Sequence, residues 1–446
     1  MTDYDVLGAK LADAVGAAHV VAETQALGAF AVDGMVPRYA VFPTDVAGVQ
    51  AVLHVASAEG ASVSPRGHGT KMALGGLPTR LDIVLCLERL NQVVEYDVPN
   101  LTVIAQAGVV VDALQTTLAA NRQFLPMDPP FPAEATIGGV VAANSSGPKR
   151  LAYGAARDLV LGMKVVMANG DLVSSGGKTV KNVAGYDLDK LFIGSLGTLC
   201  VIVEVAFRLL PAPEKRATLV AAFASLEQAT RTVSDILKSQ YLPTALEILN
   251  GKALELTGLG QNTYALMVAL EGVSEAVDRQ VRELSEVCRS AGASTVEAMS
   301  GQAEADLWLA VRDLPRRVAE MAREVVGARA GVVLSAVEET CASAISSAGK
   351  RGLPLALDVR GGNGAIYAWF LGREGDEPRQ IDAVQEFRTA TAARGGFVVL
   401  ELAPPAVKRA VSVWGPPGSD FPAMKAIKSR LDPQGILNPG RYVGGM

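Results

Sequence analysis

Histidine, cysteine and long apolar segments are scarce in this sequence of 446 residues. It contains only 3 histidines and 4 cysteines, and no two cysteines form a C-x-x-C pair. Iron–sulfur and zinc sites usually use closely spaced cysteines, so the spacing argues against both, although isolated ligands stay open. We expect structural thiols in a reducing compartment.

A surplus of basic charge is also missing. Lysine and arginine number 41 against 46 acidic residues, a net charge of −5, whereas nucleic-acid binding requires basic surface to neutralise phosphates. The N-terminus lacks the basic and apolar regions of a secretory signal, and no apolar segment reaches the roughly 20 residues of a spanning helix. We therefore predict no nucleic-acid partner, no direct membrane insertion and a cytoplasmic location.

Glycine, by contrast, is abundant, with 45 residues concentrated in a few motifs. The segment Thr136-Ile-Gly-Gly-Val-Val-Ala-Ala-Asn144-Ser-Ser-Gly147 is followed by Tyr153-Gly154 and later by Gly194-Ser-Leu-Gly-Thr198. Glycine is favoured where the backbone must approach another group closely. We interpret residues 136–147 as a glycine-lined wall of a ligand site.

A second glycine motif, Arg66-Gly67-His68-Gly69-Thr70, follows a predicted strand. Such a loop can direct several backbone N–H groups at one anion. Alone it is weak evidence, but together with the other glycine motifs it favours a phosphate-bearing ligand. Gly177-Lys178-Thr179 resembles the end of a P-loop, yet Leu172 stands where the first glycine is needed. No G-x-G-x-x-G motif follows a strand, which leaves a Rossmann site unsupported.

Hydrophobic periodicity and turn residues predict the elements before residue 213. Strands are expected to dominate from the second hairpin strand to Leu210, and Pro211-Ala-Pro213 indicates a domain boundary. The predicted elements are a strand at 39–42, a helix that begins after an N-cap at Thr44 and ends at Gly60, a strand at 61–65, and a hairpin of strands 92–96 and 101–105.

The same periodicities predict two β-α-β-β-α-β repeats after residue 213. The first comprises strand 217–223, a helix from a Ser225 cap to about 238, strands 245–249 and 264–270, helix 275–290 and strand 293–298. The second, after a helical stretch 302–325, comprises strand 331–337, helix 338–348, strands 354–359 and 365–371, helix 379–394 and strand 396–402. A last helix is predicted at 422–430.

These motifs and the ending Leu431-Asp-Pro-Gln-Gly-Ile-Leu-Asn438-Pro-Gly-Arg441 resemble the vanillyl-alcohol-oxidase family of FAD-binding oxidoreductases, and within it the E-type subunits of bacterial glycolate oxidases. The resemblance implies an α+β fold with a two-part PCMH-type FAD-binding domain and an α/β cap of ferredoxin-like antiparallel sheet with helices. The expected division is an N-terminal arm 1–37, the FAD-binding domain 38–213, the cap 214–405 and a segment 406–446 that returns to the FAD domain.

The same resemblance implies which residues contact FAD. Some relatives attach the flavin through a histidine of the first loop, but that position aligns with Thr70 and not with His68, so we predict non-covalent FAD. Leu196 stands where many relatives carry an acidic residue. The implied FAD-binding residues are Arg66, Gly67, His68, Gly69, Thr70, Thr136, Gly138, Gly139, Asn144, Ser146, Gly147, Gly154, Val201, Val203 and Asn438.

Catalytic candidates come from the cap and from the flavin motifs. Trp308-Leu-Ala-Val-Arg312 is similar to a helix that presents an arginine to the substrate carboxylate in relatives, and Arg316 would share its helical face. A solvated basic face is an equal alternative. Lys181 would stabilise reduced flavin or pair with nearby aspartates.

Relatives of the D-lactate dehydrogenase branch hold a divalent metal with cap histidines. The comparable hairpin here begins Asp358-Val-Arg360, and the cap contains no histidine. We therefore predict no metal site. The resemblance implies the FAD subunit of a glycolate-oxidase-like 2-hydroxyacid dehydrogenase, with a second flavoprotein and an iron–sulfur subunit as partners and any membrane association through them. A self-sufficient FAD-dependent dehydrogenase, such as a D-lactate dehydrogenase, and a non-catalytic relay subunit stay open.

Overall fold

The computed structural model describes residues 5–177, 187–260, 262–322 and 324–446. Contacts divide the chain into two compact units. Unit 1 comprises Met1–Ser146, Ala155–Ala212 and Pro416–Met446, and unit 2 comprises Gly147–Gly154 and Pro213–Gly415. Unit 1 therefore contains both ends of the chain, and the short segment 147–154 belongs to the other unit.

The described residues contain these helices and strands. The helices are α1 Val6–Val15, α2 Thr24–Leu27, α3 Val46–Glu59, α4 Val111–Ala119, α5 Ile137–Ala143, α6 Arg150–Tyr153, α7 Ala156–Leu159, α8 Asp189–Phe192, α9 Leu226–Leu237, α10 Gly251–Thr257, α11 Ser274–Ser290, α12 Gly301–Arg312, α13 Leu314–Met321, α14 Val337–Gly349, α15 Glu377–Ala392, α16 Pro405–Ala410 and α17 Phe421–Leu431. The strands are β1 Val20–Val21, β2 Tyr39–Val41, β3 Val63–Arg66, β4 Ile83–Cys86, β5 Val93–Asp97, β6 Thr102–Gln106, β7 Gln123–Phe124, β8 Val160–Val166, β9 Leu172–Gly176, β10 Val201–Arg208, β11 Leu210–Pro211, β12 Lys215–Phe223, β13 Ala245–Asn250, β14 Tyr264–Gly272, β15 Thr295–Met299, β16 Glu324–Gly331, β17 Leu355–Arg360, β18 Ala365–Gly372 and β19 Phe397–Leu402.

The first sheet of unit 1 has the order β1-β2-β4-β3, in which β2, β4 and β3 are parallel. Helix α3 connects β2 to β3 and buries Val49, Leu53 and other apolar residues against the sheet. The predicted N-cap at Thr44 was wrong, because the Asp45 carboxylate accepts the 2.8 Å hydrogen bond from Gly48 N–H. Gly60 ends the helix in the left-handed conformation that favours glycine, as the sequence predicts.

The second sheet of unit 1 is antiparallel, in the order β5-β6-β10-β8-β9. The predicted hairpin is present as β5 and β6. The expectation that strands dominate up to Leu210 was wrong, because helices α4, α5, α7 and α8 also lie in this part of unit 1. Helix α4, for example, forms because Val111, Leu114 and Leu118 recur at helical spacing and reach the core together.

Unit 2 contains one antiparallel eight-stranded sheet among its described residues, in the order β15-β12-β14-β13-β17-β18-β16-β19. Each half has the ferredoxin-like order, and pairing of β13 with β17 joins the halves. Helices α9, α11, α14 and α15 cover one face of the sheet, and α10, α12 and α13 pack on the other. The predicted α+β fold with a ferredoxin-like antiparallel cap is confirmed.

Two predictions within this unit need correction. The helical stretch 302–325 is two helices, because Pro315 cannot donate a hydrogen bond within a continuous helix and the chain bends at Asp313. The strand expected at 331–337 is Glu324–Gly331, where the backbone pairs with both β18 and β19. Helix α10 was not predicted. No helix in the described part of the chain is both long and apolar enough to cross a membrane.

Candidate functional site

A loop at the carboxyl end of β3 forms the first part of the site. Strand β3 runs parallel to β4 and ends at Arg66, where the chain turns into the loop 67–70. No group in the described residues accepts a hydrogen bond from the backbone N–H of Gly67, His68, Gly69 or Thr70. Consecutive amide donors without acceptors are the usual means by which a protein backbone binds a phosphate group. The loop therefore fits an anionic ligand.

Helix α5 forms the second wall, directly against this loop. A Cβ atom added to Gly67 would lie 2.1 Å from Oγ1 of Thr136, so only glycine permits this approach. Thr136 is the N-cap of α5, and its Oγ1 accepts a hydrogen bond from Gly139 N–H at 3.4 Å. The glycine wall predicted at 136–147 is thus a capped helix, and Asn144 ends it in a left-handed conformation.

The motif 194–198 forms the third wall. Gly194 N–H and Leu196 N–H donate to the carbonyls of Val141 and Ala142, at 3.0 and 2.9 Å, which holds this motif against the end of α5. Leu196 has a φ of 53°, an unusual conformation for leucine. Its carbonyl accepts a 2.6 Å hydrogen bond from Nδ2 of Asn438.

The end of the chain supplies the fourth wall. Asn438 lies beside β3, where its N–H donates to the carbonyl of Val63 at 2.9 Å and its Oδ1 accepts from Ser64 Oγ at 2.8 Å. Arg441 is buried and donates to the carbonyls of Met72, Leu74 and Gly76, and it forms an ion pair with Asp33. These bonds hold Arg441 against residues 72–76, in the loop that follows Thr70.

The four walls enclose an open pocket of about 600 Å³, including space continuous with solvent. The pocket lies entirely within unit 1. Its lining residues are Pro65, Arg66, Gly67, His68, Gly69, Thr70, Lys71, Met72, Leu74, Thr136, Gly139, Ala142, Ala143, Leu196, Gly197, Asn438 and Arg441. The structure thus brings together the first loop, Thr136, Gly139 and Asn438 of the predicted FAD-binding residues.

The remaining predicted cofactor residues do not line this pocket. Gly138 lies on the inner side of α5, where an added Cβ would meet Cβ of Ala107 at 2.6 Å, so packing explains this glycine. Val201 and Val203 are fully buried in β10 within the core of unit 1. Ser146 ends a segment of unit 1, whereas Gly147 and Gly154 belong to unit 2.

Asn144 adds a second observation that indicates a ligand. Its Oδ1 atom is buried and has no hydrogen-bond partner among the described residues. A buried acceptor without a donor is costly, and a bound ligand commonly supplies the missing donor. FAD carries both an acceptor for the loop amides and donors for Asn144, since its pyrophosphate accepts hydrogen bonds and its ribityl chain and flavin ring donate them.

Arg66 and His68 occupy different surroundings in the first loop. The guanidinium of Arg66 lies over the ring of Phe30, 5.1 Å from its centroid. Burial raises the pKa of the nearby Cys86 thiol to about 12, although Arg66 opposes the shift. His68 is exposed, and its Nδ1 lies 3.0 Å from the carbonyl oxygen of Glu134. This contact keeps the His68 ring at the Glu134 backbone.

The predicted catalytic residues are Lys181, Arg312 and Arg316. Lys181 lies outside the described residues. Arg312 and Arg316 lie in unit 2 but on different helices, at the end of α12 and in α13, so the expected shared helical face is wrong. Nε of Arg312 donates to the carbonyl of Trp308 at 3.2 Å.

Sequence reasoning missed a row of ionisable residues on the sheet of unit 2. The row lies on adjacent strands, on the face that α10, α12 and α13 partly cover, and we call it the charged row. Its members are Glu247 on β13, Asp358 and Arg360 on β17, Tyr367 on β18, Arg329 on β16 and Glu401 on β19.

Contacts within the charged row link most of its members. Arg360 lies 4.0 Å from Glu247 and stands over the ring of Tyr367, 4.5 Å from its centroid. Arg329 pairs with Glu401 at 2.8 Å. Burial opposes the charge of Arg329, but Glu401 outweighs it and raises the pKa of the guanidinium. Ionisable groups concentrated in this way are more typical of functional sites than of cores.

Asp358 is one of the buried members of the charged row. It is 5% exposed, and its Oδ1 has no hydrogen-bond partner among the described residues. The sequence did carry a signal, because charged residues at alternate positions of an otherwise apolar predicted strand, as in Leu357-Asp-Val-Arg360, must share one face. Within the described ranges, no group of three or more His, Cys, Asp or Glu side chains could hold a metal ion.

The α+β fold and the pocket are those expected of a flavin-dependent oxidoreductase, and comparison with known proteins shows this class. The family model described as FAD binding domain matches residues 37–176. The model described as FAD linked oxidases, C-terminal domain matches residues 212–347 and 415–442. The chain belongs to the vanillyl-alcohol-oxidase family of FAD-linked oxidases, as its motifs predict.

Relatives of similar length indicate the type of enzyme. Glycolate oxidase subunit GlcD of Bacillus subtilis (strain 168) is 31% identical over 421 residues, which cover 91% of this chain and 88% of that protein. A D-lactate dehydrogenase of Archaeoglobus fulgidus is 32% identical over 410 residues, 90% of each chain. The protein is an FAD-dependent oxidoreductase of the type that these enzymes represent. The Bacillus subtilis relative is named as a GlcD subunit, so the E-type assignment stays a prediction.

A solved structure supports the fold. The structure of p-cresol methylhydroxylase with bound substrate matches with a TM-score of 0.80 and 18% identity, covering 98% of this chain and 96% of that one. At this identity the likeness shows the fold alone.

Proposed function

We propose that this chain is the FAD-bearing subunit of a dehydrogenase for a small 2-hydroxy acid such as glycolate or D-lactate. In this proposal it works with a second flavoprotein and passes electrons to an iron–sulfur subunit. The pocket assembled from four chain segments carries the proposal, because its unmatched amide donors fit the pyrophosphate of FAD. Similarity to a glycolate oxidase subunit and to a D-lactate dehydrogenase supports the substrate class.

The residues of unit 1 would hold the cofactor without a covalent bond. Loop 67–70 would donate its amides to the pyrophosphate, and Asn144 Oδ1 would accept a hydrogen bond from the polar chain or ring. The 3.0 Å contact of His68 with the Glu134 backbone supports a structural role for the imidazole. Bound FAD supplies an acceptor for the two electrons that a hydroxy acid loses.

The charged row of unit 2 is the substrate-binding candidate. Asp358 Oδ1 would accept the proton of the substrate hydroxyl, because this carboxylate oxygen is buried without a donor. The guanidinium of Arg360 carries five donors and can bind a carboxylate in a bidentate manner alongside its contact with Glu247. Arg312 and Arg316 stay the alternative carboxylate ligands, and Lys181 stays a candidate for stabilising reduced flavin.

A self-sufficient dehydrogenase is the second candidate. The D-lactate dehydrogenase of Archaeoglobus fulgidus supports it, because it matches along 90% of its own length. The two candidates differ in whether a hydroxy acid reduces the flavin of the lone chain. If the chain is a non-catalytic relay subunit, no hydroxy acid should reduce its flavin.

Anaerobic mixing separates these alternatives. The purified chain, loaded with FAD, is mixed with glycolate or D-lactate while the flavin absorbance is followed, first alone and then with the subunits that co-purify from the native host. We expect the flavin to stay largely oxidised in the lone chain and to bleach in the assembled complex. Rapid, complete bleaching of the lone chain would favour the self-sufficient enzyme. No bleaching in either case, with every acid, would reject hydroxyacid oxidation.

A further inference from the structure

The segment Gly147–Gly154 leaves unit 1 after Ser146, packs in unit 2 and re-enters unit 1 at Ala155. The carboxylate of Glu271 binds the two polar side chains Lys149 and Tyr153 of this segment. Nζ of Lys149 lies 2.5 Å from Oε1 of Glu271, and the Tyr153 hydroxyl donates to Oε2 of Glu271 at 2.6 Å. Two residues of the segment are therefore attached to one acidic group on strand β14.

Glu271 is well suited to this attachment. Its side chain is 2% exposed, and Nε of Arg216 on the neighbouring strand lies 3.2 Å from the same oxygen that Lys149 contacts. Two cationic partners and a hydroxyl donor balance the charge of this buried carboxylate. Removing that charge would leave the positive charges of Lys149 and Arg216 uncompensated. The energetic cost of breaking this arrangement keeps the segment at β14.

A second contact holds the apolar side of the segment. Leu151 packs against the core of unit 2 and lies directly over Gly362, in the turn between β17 and β18. A Cβ atom added to Gly362 would lie 2.6 Å from Cδ2 of Leu151. Gly362 thus leaves the space that Leu151 fills, and the segment is fastened at two separate points.

The segment 147–154 closely follows, in sequence, residues that line the candidate FAD pocket. Ala142 and Ala143 line the pocket, and Asn144 with its unmatched Oδ1 follows them. On the other side of the segment, Ala155 N–H donates to Asp158 at 2.8 Å and starts helix α7. Fixing residues 147–154 therefore limits the freedom of the chain on both sides of the segment, including the end of α5.

We propose that Glu271 is a positioning residue for the cofactor. Together with Gly362 it fixes the segment 147–154 and thereby holds Asn144 and Ser146, which precede the segment in unit 1, in the conformation that retains FAD. This inference rests on the proposed placement of FAD, but it concerns unit 2, which has no predicted contact with the cofactor outside this segment. It requires no turnover and no partner subunit.

The test compares two matched variants of the FAD-loaded full chain. Glu271→Gln removes the charge that Lys149 and Arg216 share. Glu386→Gln, on α15, removes a more exposed charge, which Lys350 and Arg351 just after α14 share. Both variants should lower the melting temperature. We expect the FAD dissociation rate to rise about tenfold only in Glu271→Gln, a change of about 1.4 kcal/mol. The visible circular dichroism of the flavin should change in the same variant alone.

A second pair of variants keeps the test independent of the Glu271 charge. Gly362→Ala should displace Leu151 and accelerate FAD release, whereas Gly349→Ala should not, because an added Cβ there meets no atom within 4 Å. Equal FAD release from Glu271→Gln and Glu386→Gln, or from the two glycine variants, would overturn the proposal. A wild-type chain that retains no FAD would instead reject the cofactor placement and this inference with it.

Discussion

The hydroxyl of Ser64 donates a 2.8 Å hydrogen bond to Oδ1 of Asn438, a residue 374 positions further along the chain. The same asparagine donates to the carbonyl of Leu196. One buried side chain therefore joins the strand before the phosphate-type loop, the motif 194–198 and the end of the chain. The pocket exists only when all three segments are in place, so FAD binding and folding of unit 1 should be strongly coupled.

Replacing Gly139 should abolish flavin retention. Gly139 lines the pocket, and an added Cβ would already lie 3.1 Å from Thr136 Oγ1, so the rest of a leucine side chain must enter the pocket. We expect Gly139→Leu to purify folded but colourless, as judged by far-ultraviolet circular dichroism and the flavin absorbance. Gly349→Leu is the control and should stay yellow. Full FAD content in Gly139→Leu would contradict the placement of the cofactor.

The flavin should be bound without a covalent bond. His68 is held at the backbone carbonyl of Glu134, and Thr70 stands where relatives with attached flavin carry the linking histidine. Acid precipitation of the yellow protein should therefore release the flavin into the supernatant, measured by its absorbance. Flavin that remains with the precipitated protein would show a covalent link, and the variant His68→Ala would then identify the attachment site.

Substrate affinity should depend on Arg360 more than on the arginines of α12 and α13. Arg360→Lys keeps a positive charge beside Glu247 but loses the bidentate geometry, so the KM for a 2-hydroxy acid should rise about tenfold or more. The flavin spectrum should not change. Steady-state kinetics of the active complex measure both effects.

The competing variant is Arg312→Gln with Arg316→Gln. If these two residues bind the substrate carboxylate, this double variant should raise KM while Arg360→Lys leaves it unaltered. Unchanged kinetics in the double variant would favour a solvated basic surface at α12 and α13.

Acid should destabilise unit 1 partly through Asp82. Burial alone would raise the pKa of Asp82, but hydrogen bonds from Ser62 N–H and Oγ, both 2.8 Å long, and the charge of Arg38 lower it below the ordinary value of 3.8. A lowered pKa in the folded state gives stability that is present above about pH 3.8 and is lost as the pH falls through the folded value.

Asp82→Asn should therefore lower the free energy of unfolding by about 1–3 kcal/mol at neutral pH and by much less at acid pH. Calorimetric melting at several pH values measures the difference between this variant and the wild type. A loss of stability that does not diminish in acid would show that packing, and not the carboxylate charge, is responsible.

The four cysteines should be unreactive in the folded protein. All four are buried, and burial raises the pKa of Cys288 to about 11 and of Cys86 and Cys341 to about 12, and it also raises that of Cys200. Since the thiolate is the reactive form, a thiol reagent at pH 8 should modify none of them within minutes. Addition of denaturant should expose all four. Fast modification before unfolding would identify an accessible thiol.

Much of the local structure could be predicted because its causes lie within a few residues. Ser225 caps α9 by accepting from Gln228 N–H at 3.2 Å, and Gly60 ends α3, both at the predicted positions. The alternation of strand and helix periods gave the two ferredoxin-like repeats. The misplaced strand near 331 shows the limit of this reasoning, since Val333 and Leu334 are apolar enough for a strand but have no strand to pair with and stay exposed.

The sequence by itself determined the family, the cofactor class and most helices and strands, because glycine motifs, caps and hydrophobic periods act over short distances along the chain. Only the tertiary structure decided that β13 pairs with β17, that Asn438 completes the pocket and that Asp358 and Arg360 join the charged row. It also decided that the segment 147–154 belongs to unit 2. Each of these outcomes depends on contacts between residues far apart in sequence, and no local pattern specifies which distant partner a residue will meet.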